Sequence, residues 1–262
     1  MEIGFVVPIV AVSKIIISMY VLNITFSYLP IVLAFSGSLS IYLFDRLNIN
    51  HEDKCSTNKS KRIEIIRKYK NSIEFAAYTS LIIFISILFI ELSIVKFLIC
   101  CNPILIFIFY SKLKNTLYLD TVSIAFAWSS ELVLIPIFFS DFIYNNYIAL
   151  IVFLCLFIMK FSETELSNIR DLSADSMAGN TTLPVKLGVE KVKKLIITGE
   201  VVSLLVLGII SNSSLFFLAT LLSATYIFYI IHNLDEQNIS NLMLKNRLVK
   251  IILSISIILI IL

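Results

Sequence analysis

Leu215-Phe-Phe-Leu-Ala-Thr-Leu-Leu-Ser-Ala-Thr-Tyr-Ile-Phe-Tyr-Ile-Ile231 carries no charge, no Gly and no Pro. It is too long for a strand, and a helix facing water would show a polar side. Its length approaches the roughly twenty apolar residues that a bilayer core requires. Ile82–Ile90 lies in a second run of this kind. Comparable stretches cover approximately 4–22, 28–46, 73–91, 93–110, 119–139, 143–163, 193–210, 213–231 and 246–262. The expected fold is therefore all-α, a polytopic transmembrane helical bundle of about nine spans in a single domain covering 1–262.

Composition agrees. The 262 residues are 58% hydrophobic and 15% charged, with a mean hydropathy of +0.95. A soluble chain of this size lacks the polar surface to cover so much apolar material. A transmembrane barrel would show short alternating segments, which are absent from the sequence. Nothing points to nucleic acid as a partner; membrane lipids are the expected surroundings. Cys55, Cys100, Cys101 and Cys155 form no CxxC pair, so neither a disulfide framework nor a zinc site is expected. Met1-Glu-Ile-Gly-Phe5 lacks a basic segment and a following cleavage site, so the first span is expected to remain.

The basic residues give the topology. With a cytoplasmic N-terminus, all of the 21 Lys and Arg except Lys14 and Lys96 fall in or beside cytoplasmic loops. Asn23–Ser27, Ser140–Asn145 and Ser211–Ser214, the opposite loops, hold none. This is the positive-inside pattern, and it predicts an integral cell-membrane protein with its polar loops facing the cytoplasm.

Two acidic clusters emerge on that side. Asp45, Asn48 and Glu52 follow the second span at i, i+3 and i+7, and Asn168, Asp171 and Asp175 repeat the spacing after the sixth. If the helices continue past the membrane, each set presents three oxygen-bearing side chains on one face. Neighbouring lysines in hydrated loops could neutralise either cluster alone. Two clusters of the same spacing, side and depth favour a shared cation. Oxygen donors without a Cys or His cluster suit Mg²⁺ better than zinc, and a diphosphate would complete its shell.

Asn168-Ile-Arg-Asp171-Leu-Ser-Ala-Asp175, then Gly179 and Thr182-Leu-Pro-Val185 ending in Gly188, resembles the second aspartate-rich motif of the UbiA superfamily of prenyltransferases. The family's first motif, NDxxDxxxD, aligned on Asp45, puts Phe44, Asn48 and Glu52 at its other three positions. Phe44 brings no ligand there, and Asp53 can supply a further carboxylate, as in a divergent branch of the superfamily. Tyr110-Ser-Lys112-Leu-Lys114 resembles the family's YxxxK element, whose Tyr and Lys contact the diphosphate; a pair of lysines anchoring a helix end is the alternative.

The resemblance implies an intramembrane prenyltransferase, moving an isoprenyl group from a Mg-bound prenyl diphosphate to a lipophilic acceptor. Asp45, Asn48, Glu52 and Asp53 would hold Mg²⁺ from one side, and Asp171 and Asp175 from the other. Tyr110, Lys112, Lys114, Asn168 and Arg170 would bind the diphosphate, with Asp45, Asp171, Asp175 and Lys114 as the catalytic set. Arg170 and Lys186 could equally be surface charges. Segments 47–72 and 166–190 are long enough to hold lids over the site.

Glu131 and Glu200 are intramembrane acids and so functional candidates. Glu131 could orient an acceptor or accept its proton, or simply be a neutral, hydrogen-bonded group. Glu165, one turn before Asn168, is placed to support the second motif; His51 and His232 have no partner at metal-ligand spacing. Two other functions fit the sequence: a transporter, which should show inverted repeats and a midplane site, and a catalytically degenerate UbiA-like lipid-binding protein.

Overall fold

The computed structural model describes residues 6–48, 60–113, 119–140, 145–177, 179–234 and 239–261. Among these residues there are thirteen helices and no strand. The first four are α1 (Val6–Val21), α2 (Tyr28–Leu47), α3 (Ser60–Lys68) and α4 (Lys70–Glu91). Next come α5 (Ile94–Cys100), α6 (Asn102–Leu113), α7 (Leu119–Phe138) and α8 (Asn146–Arg170). Two short helices, α9 (Leu172–Met177) and α10 (Leu183–Leu187), precede α11 (Val189–Ile210), α12 (Ser214–His232) and α13 (Ile239–Ile261).

A helix coincides with each expected apolar stretch. By length and composition, α2, α4, α7, α8 and α12 can each cross a membrane; α1 is apolar but shorter. The fourth stretch is broken. Pro103 follows Asn102, has no N–H to extend the ladder, and disfavours helical geometry in the residue before it; α5 ends at Cys100 and α6 starts at Asn102. The sixth stretch is longer than expected. The 25 residues of α8 span about 37 Å at 1.5 Å per residue, more than the roughly 30 Å of hydrocarbon, so the helix carries its polar C-terminal turns beyond it.

α1 is central, packing on α2, α7, α8 and α13, while α2 also packs on α4, and α8 on both α7 and α11. Ile15, Ile17 and Met19 of α1 are fully buried, as expected of a helix apolar on every side. The outer helices do the reverse: Phe75 and Ile90 of α4 are 74% and 75% exposed. Large exposed apolar residues repeated along outer helices are the lipid-facing surface of a membrane bundle.

Buried hydroxyls on α2 turn back to their own helix, Ser36 Oγ donating to Val32 O at 2.8 Å and Ser40 Oγ to Gly37 O at 2.9 Å. This satisfies them without an interhelical partner. Gly208 sets the α11–α12 crossing: a Cβ there would lie 2.1 Å from Thr220 Oγ1 and 3.3 Å from the Phe217 Cα. Because the backbone of α12 cannot yield as a side-chain tip can, Gly208→Val should cost about 1–3 kcal/mol. The expected readout is a lower melting temperature of the detergent-solubilised protein than for Thr220→Ser.

Polar ties cross the interior. Lys14 on α1 pairs with Glu163 on α8 at 2.8 Å. On α13, Lys250 donates to Glu200 on α11 at 2.9 Å and to Asn246, and Asn246 donates to Glu200 Oε1 at 3.4 Å. Two expectations change here. Lys250, counted with the flank of a cytoplasmic loop, is completely buried in α13. Lys14, left over by the charge count, is a buried ion-pair partner.

Candidate functional site

The C-terminal ends of α2 and α8 open on one cavity of about 240 Å³. Asp45 and Arg46 line it from α2, and Lys160, Glu163, Thr164 and Ser167 from α8. Trp128 of α7, Pro103 and Ile106 of α6, and Arg247 of α13 close its remaining walls. Asp45 is exposed at this cavity, and Arg46 stacks its guanidinium over the Tyr42 ring, 4.6 Å from its centre. Arg46 Nε is buried without a hydrogen-bond partner among the described residues. A buried donor without an acceptor is costly, and an anion entering the cavity would supply one.

Of the first acidic set, Asp45 is in the last turn of α2 and Asn48 follows its end. α2 ends at Leu47, and Asn48 is its C-cap, with φ −84° and ψ 85°. Its N–H still bonds Phe44 O at 3.1 Å, but the helix stops there, and Asn48 is exposed. Phe44 packs edge-on against Tyr78, 5.1 Å between ring centres, which accounts for an aromatic at a position where the family carries a ligand. Glu52 and Asp53 lie outside the described residues, as do His51, Cys55 and Lys114. Tyr110 and Lys112 are in the last turn of α6, with their side chains outside the description.

The second set straddles a helix break. α8 ends at Arg170, Asp171 is its C-cap, and α9 begins at Leu172. The chain stays helical enough to bond Asp175 N to Asp171 O at 2.9 Å. Its three side chains do different things. Asn168 donates to Glu165 Oε1 at 3.3 Å and to Thr121 Oγ1 at 3.5 Å, so Glu165 does support the motif. Asp171, part-exposed, takes a bidentate grip from Arg170, with Nε at 3.2 Å and Nη2 at 2.7 Å. Asp175 is buried and accepts from Asn180 Nδ2 at 3.2 Å. Gly179 and Gly188 have φ of +74° and +81°, the left-handed region open to glycine, and Gly188 N–H closes α10 on Pro184 O at 3.0 Å. The two glycines of the motif are turn positions.

Asp120 escaped the reading of the sequence. In the first turn of α7 it is buried, and its charge, like that of Asp175, bears on Glu165. An acid in a first helical turn usually answers the helix dipole, and that ordinary explanation hid it. Glu131 is buried with no hydrogen-bond partner for either oxygen among the described residues. It lies against α2, where a Cβ at Gly37 would sit 3.1 Å from its Oε1, and it does not line the cavity. Lys186 is exposed on α10.

Among the described residues no three acids or histidines gather at metal-binding distance. The donors at the two helix ends are nevertheless all oxygen, the chemistry a hard cation such as Mg²⁺ takes. With Arg46, Lys160 and Arg247 along the cavity, the arrangement suits a cation carried together with an anionic group.

Residues 68–245, more than half of the chain, match the UbiA prenyltransferase family. No curated protein matches. Among solved structures, an apo UbiA homolog from Aeropyrum pernix K1 superposes with a TM-score of 0.80 at 12% identity, covering 97% of this chain and 98% of that one. A UbiA homolog from Archaeoglobus fulgidus, solved with GPP and Mg²⁺, gives 0.65 at 12% identity, covering 98% and 99%. A structure concerned with the biosynthesis of digeranylgeranylglyceryl phosphate synthase in membranes gives 0.57 at 15%, covering 98% of each chain. At these identities the likeness is one of fold.

Proposed function

Because this chain belongs to the UbiA prenyltransferase family, we propose that it transfers an isoprenyl group, within the membrane, from a Mg-bound prenyl diphosphate to a lipophilic acceptor. The observation that carries this is the cavity shared by the ends of α2 and α8. Asp45 lines it from α2, and Lys160, Glu163, Thr164 and Ser167 from α8, while Asn168, Asp171 and Asp175 follow in the chain without lining it. The reading includes nine spans and a cytoplasmic-facing site, supported by the distribution of Lys and Arg.

In this reading Asp45, Asn48, Glu52 and Asp53 hold Mg²⁺ with Asp171 and Asp175. The ion, when bound, offsets negative charge on the departing diphosphate. Tyr110, Lys112, Lys114 and Arg170 donate to that same group, stabilising charge as it develops, and Asn168, already oriented by Glu165, is aligned to join them. The allylic C1–O bond breaks, the acceptor's nucleophilic atom bonds to C1, and its proton leaves. The apolar walls given by Ile41, Ile106 and Ile124 keep water from the electron-poor carbon.

The test is mass spectrometry of products after incubating purified protein with farnesyl or geranylgeranyl diphosphate and candidate acceptors. Transfer should vanish with EDTA and return with Mg²⁺. Consumption of the diphosphate at an undiminished rate in EDTA would overturn the metal assignment. The buried charges do not revive a transporter: Lys14–Glu163 and Lys250–Glu200 are closed pairs joining helices.

A further inference from the structure

α12 and α13 leave a groove of about 370 Å³ between them, which shares no lining residue with the cavity at Asp45. Along α13 it runs from Lys245 to Ser256, about 16 Å of helical rise. That is half of the roughly 30 Å of hydrocarbon, the depth of one leaflet. The two serines in its wall are satisfied by their own helices. Ser223 Oγ donates to Ala219 O at 2.8 Å, and Ser256 Oγ to Leu253 O at 2.7 Å, so the wall behaves as apolar. Leu222 and Ile252, both in the lining, are each 62% exposed. The groove therefore opens outward, toward lipid.

One end of it is charged. Lys245 is exposed and stands just ahead of the apolar stretch 246–262, at the depth of the head groups. Arg247, on the same turn of α13, lines the cavity with Asp45, so this is the site end of the bundle. Tyr226 is as far from the end of α12 as Lys245 is from the start of α13. The two thus stand at one level, and both line the groove. Among the described residues no carboxylate lies within 4.0 Å of Lys245. A cation at the head of an apolar trough one leaflet deep matches a lipid with a negative head group.

We propose that this groove holds an anionic phospholipid from the leaflet on the site side. Its head group pairs with Lys245 and accepts from the Tyr226 hydroxyl, and one acyl chain fills the trough between α12 and α13. A zwitterionic lipid fits the trough as well but carries no net charge, so the lysine selects the anion. The bound lipid ties α12 to α13, the helix that brings Arg247 to the cavity and Lys250 to Glu200. The proposal rests on the bundle spanning a membrane and not on the prenyltransferase reading.

The test uses purified full-length protein, stripped of lipid in dodecyl maltoside. It is melted with rising amounts of phosphatidylglycerol, or of phosphatidylcholine with the same chains. At saturation phosphatidylglycerol should raise the melting temperature by at least about 3 °C, and phosphatidylcholine by about 1 °C or less. Lys245→Gln should melt with the parent when lipid is absent and lose the difference between the two lipids, while Lys245→Arg keeps it. Arg67→Gln combined with Lys68→Gln, exposed basic residues of α3, should also keep it, which separates the groove from general attraction to anionic lipid. Glycerol 3-phosphate, a head group without chains, should leave the melting temperature unchanged. Equal response to the two lipids, or a difference that survives Lys245→Gln, overturns the proposal. So does a rise with farnesyl diphosphate in EDTA that Lys245→Gln removes, since the groove would then admit the substrate. None of these readouts involves turnover, so prenyl transfer can stand or fail independently of them.

Discussion

Asp171→Asn is expected to lower turnover of a prenyl diphosphate by about 10²–10³-fold, the range seen when one electrostatic contact to a developing charge is removed, while the protein still inserts and purifies. The substitution keeps shape and removes charge. Asp171 is the part-exposed carboxylate at the point where α8 gives way to α9, and Arg170 holds it with two bonds. That pair is a third to a quarter exposed, at 32% and 25%, so solvent screens it and its loss should cost at most about 1 kcal/mol of stability. A collapse of activity with an unchanged melting temperature cannot be charged to unfolding. Measuring product formation and melting temperature on the same preparation separates the two. Retained turnover would remove Asp171 from the site. A change of Asp171 to Ala without effect on cellular function would favour the binding-only reading over the catalytic one.

The bundle was legible because the bilayer imposes its length on every span, and a run such as Leu215–Ile231 has no other stable home. The two polar helix ends were legible in part: Asp45 lines the cavity between them, while Asn168, Asp171 and Asp175 are not in its lining. What could not be read is which way a charge near a span end turns. Lys250 stands close to a loop in the sequence and so counts with the cytoplasmic charges. A lysine there can reach out to the headgroups or inward to a partner, and its helical face decides. Lys250 turns in because Glu200, fifty positions away in the sequence, waits on α11. No local pattern encodes that pairing. Helix ends were equally opaque, for α2 stops at Leu47 although its acidic spacing runs on to Glu52.

The same buried pair carries the largest expected effect on stability. Glu200→Ala should destabilise the folded bundle by about 3–5 kcal/mol, because it leaves a buried ammonium without its counter-charge. Lys250 and Glu200 have no exposed side-chain surface, and Asn246 would become the ammonium's remaining hydrogen-bond partner among the described residues. An uncompensated charge held deep in a helix bundle can neither reach water nor be screened by salt. Restoring apolar contact on both sides should reverse the loss: Glu200→Leu combined with Lys250→Met should melt near the parent, since replacing a buried pair by packed hydrophobes is often neutral or stabilising. Thermal unfolding of the parent, both single variants and the double variant closes the cycle, with strong coupling expected between sites that touch. If Glu200→Ala melted with the parent, or if the two losses simply added, then α11 and α13 would not be joined through this contact. The exposed Lys70–Glu74 pair on α4, 3.6 Å apart, is the internal control: breaking it should leave the melting temperature almost unchanged, because there water answers both charges when the partner is gone.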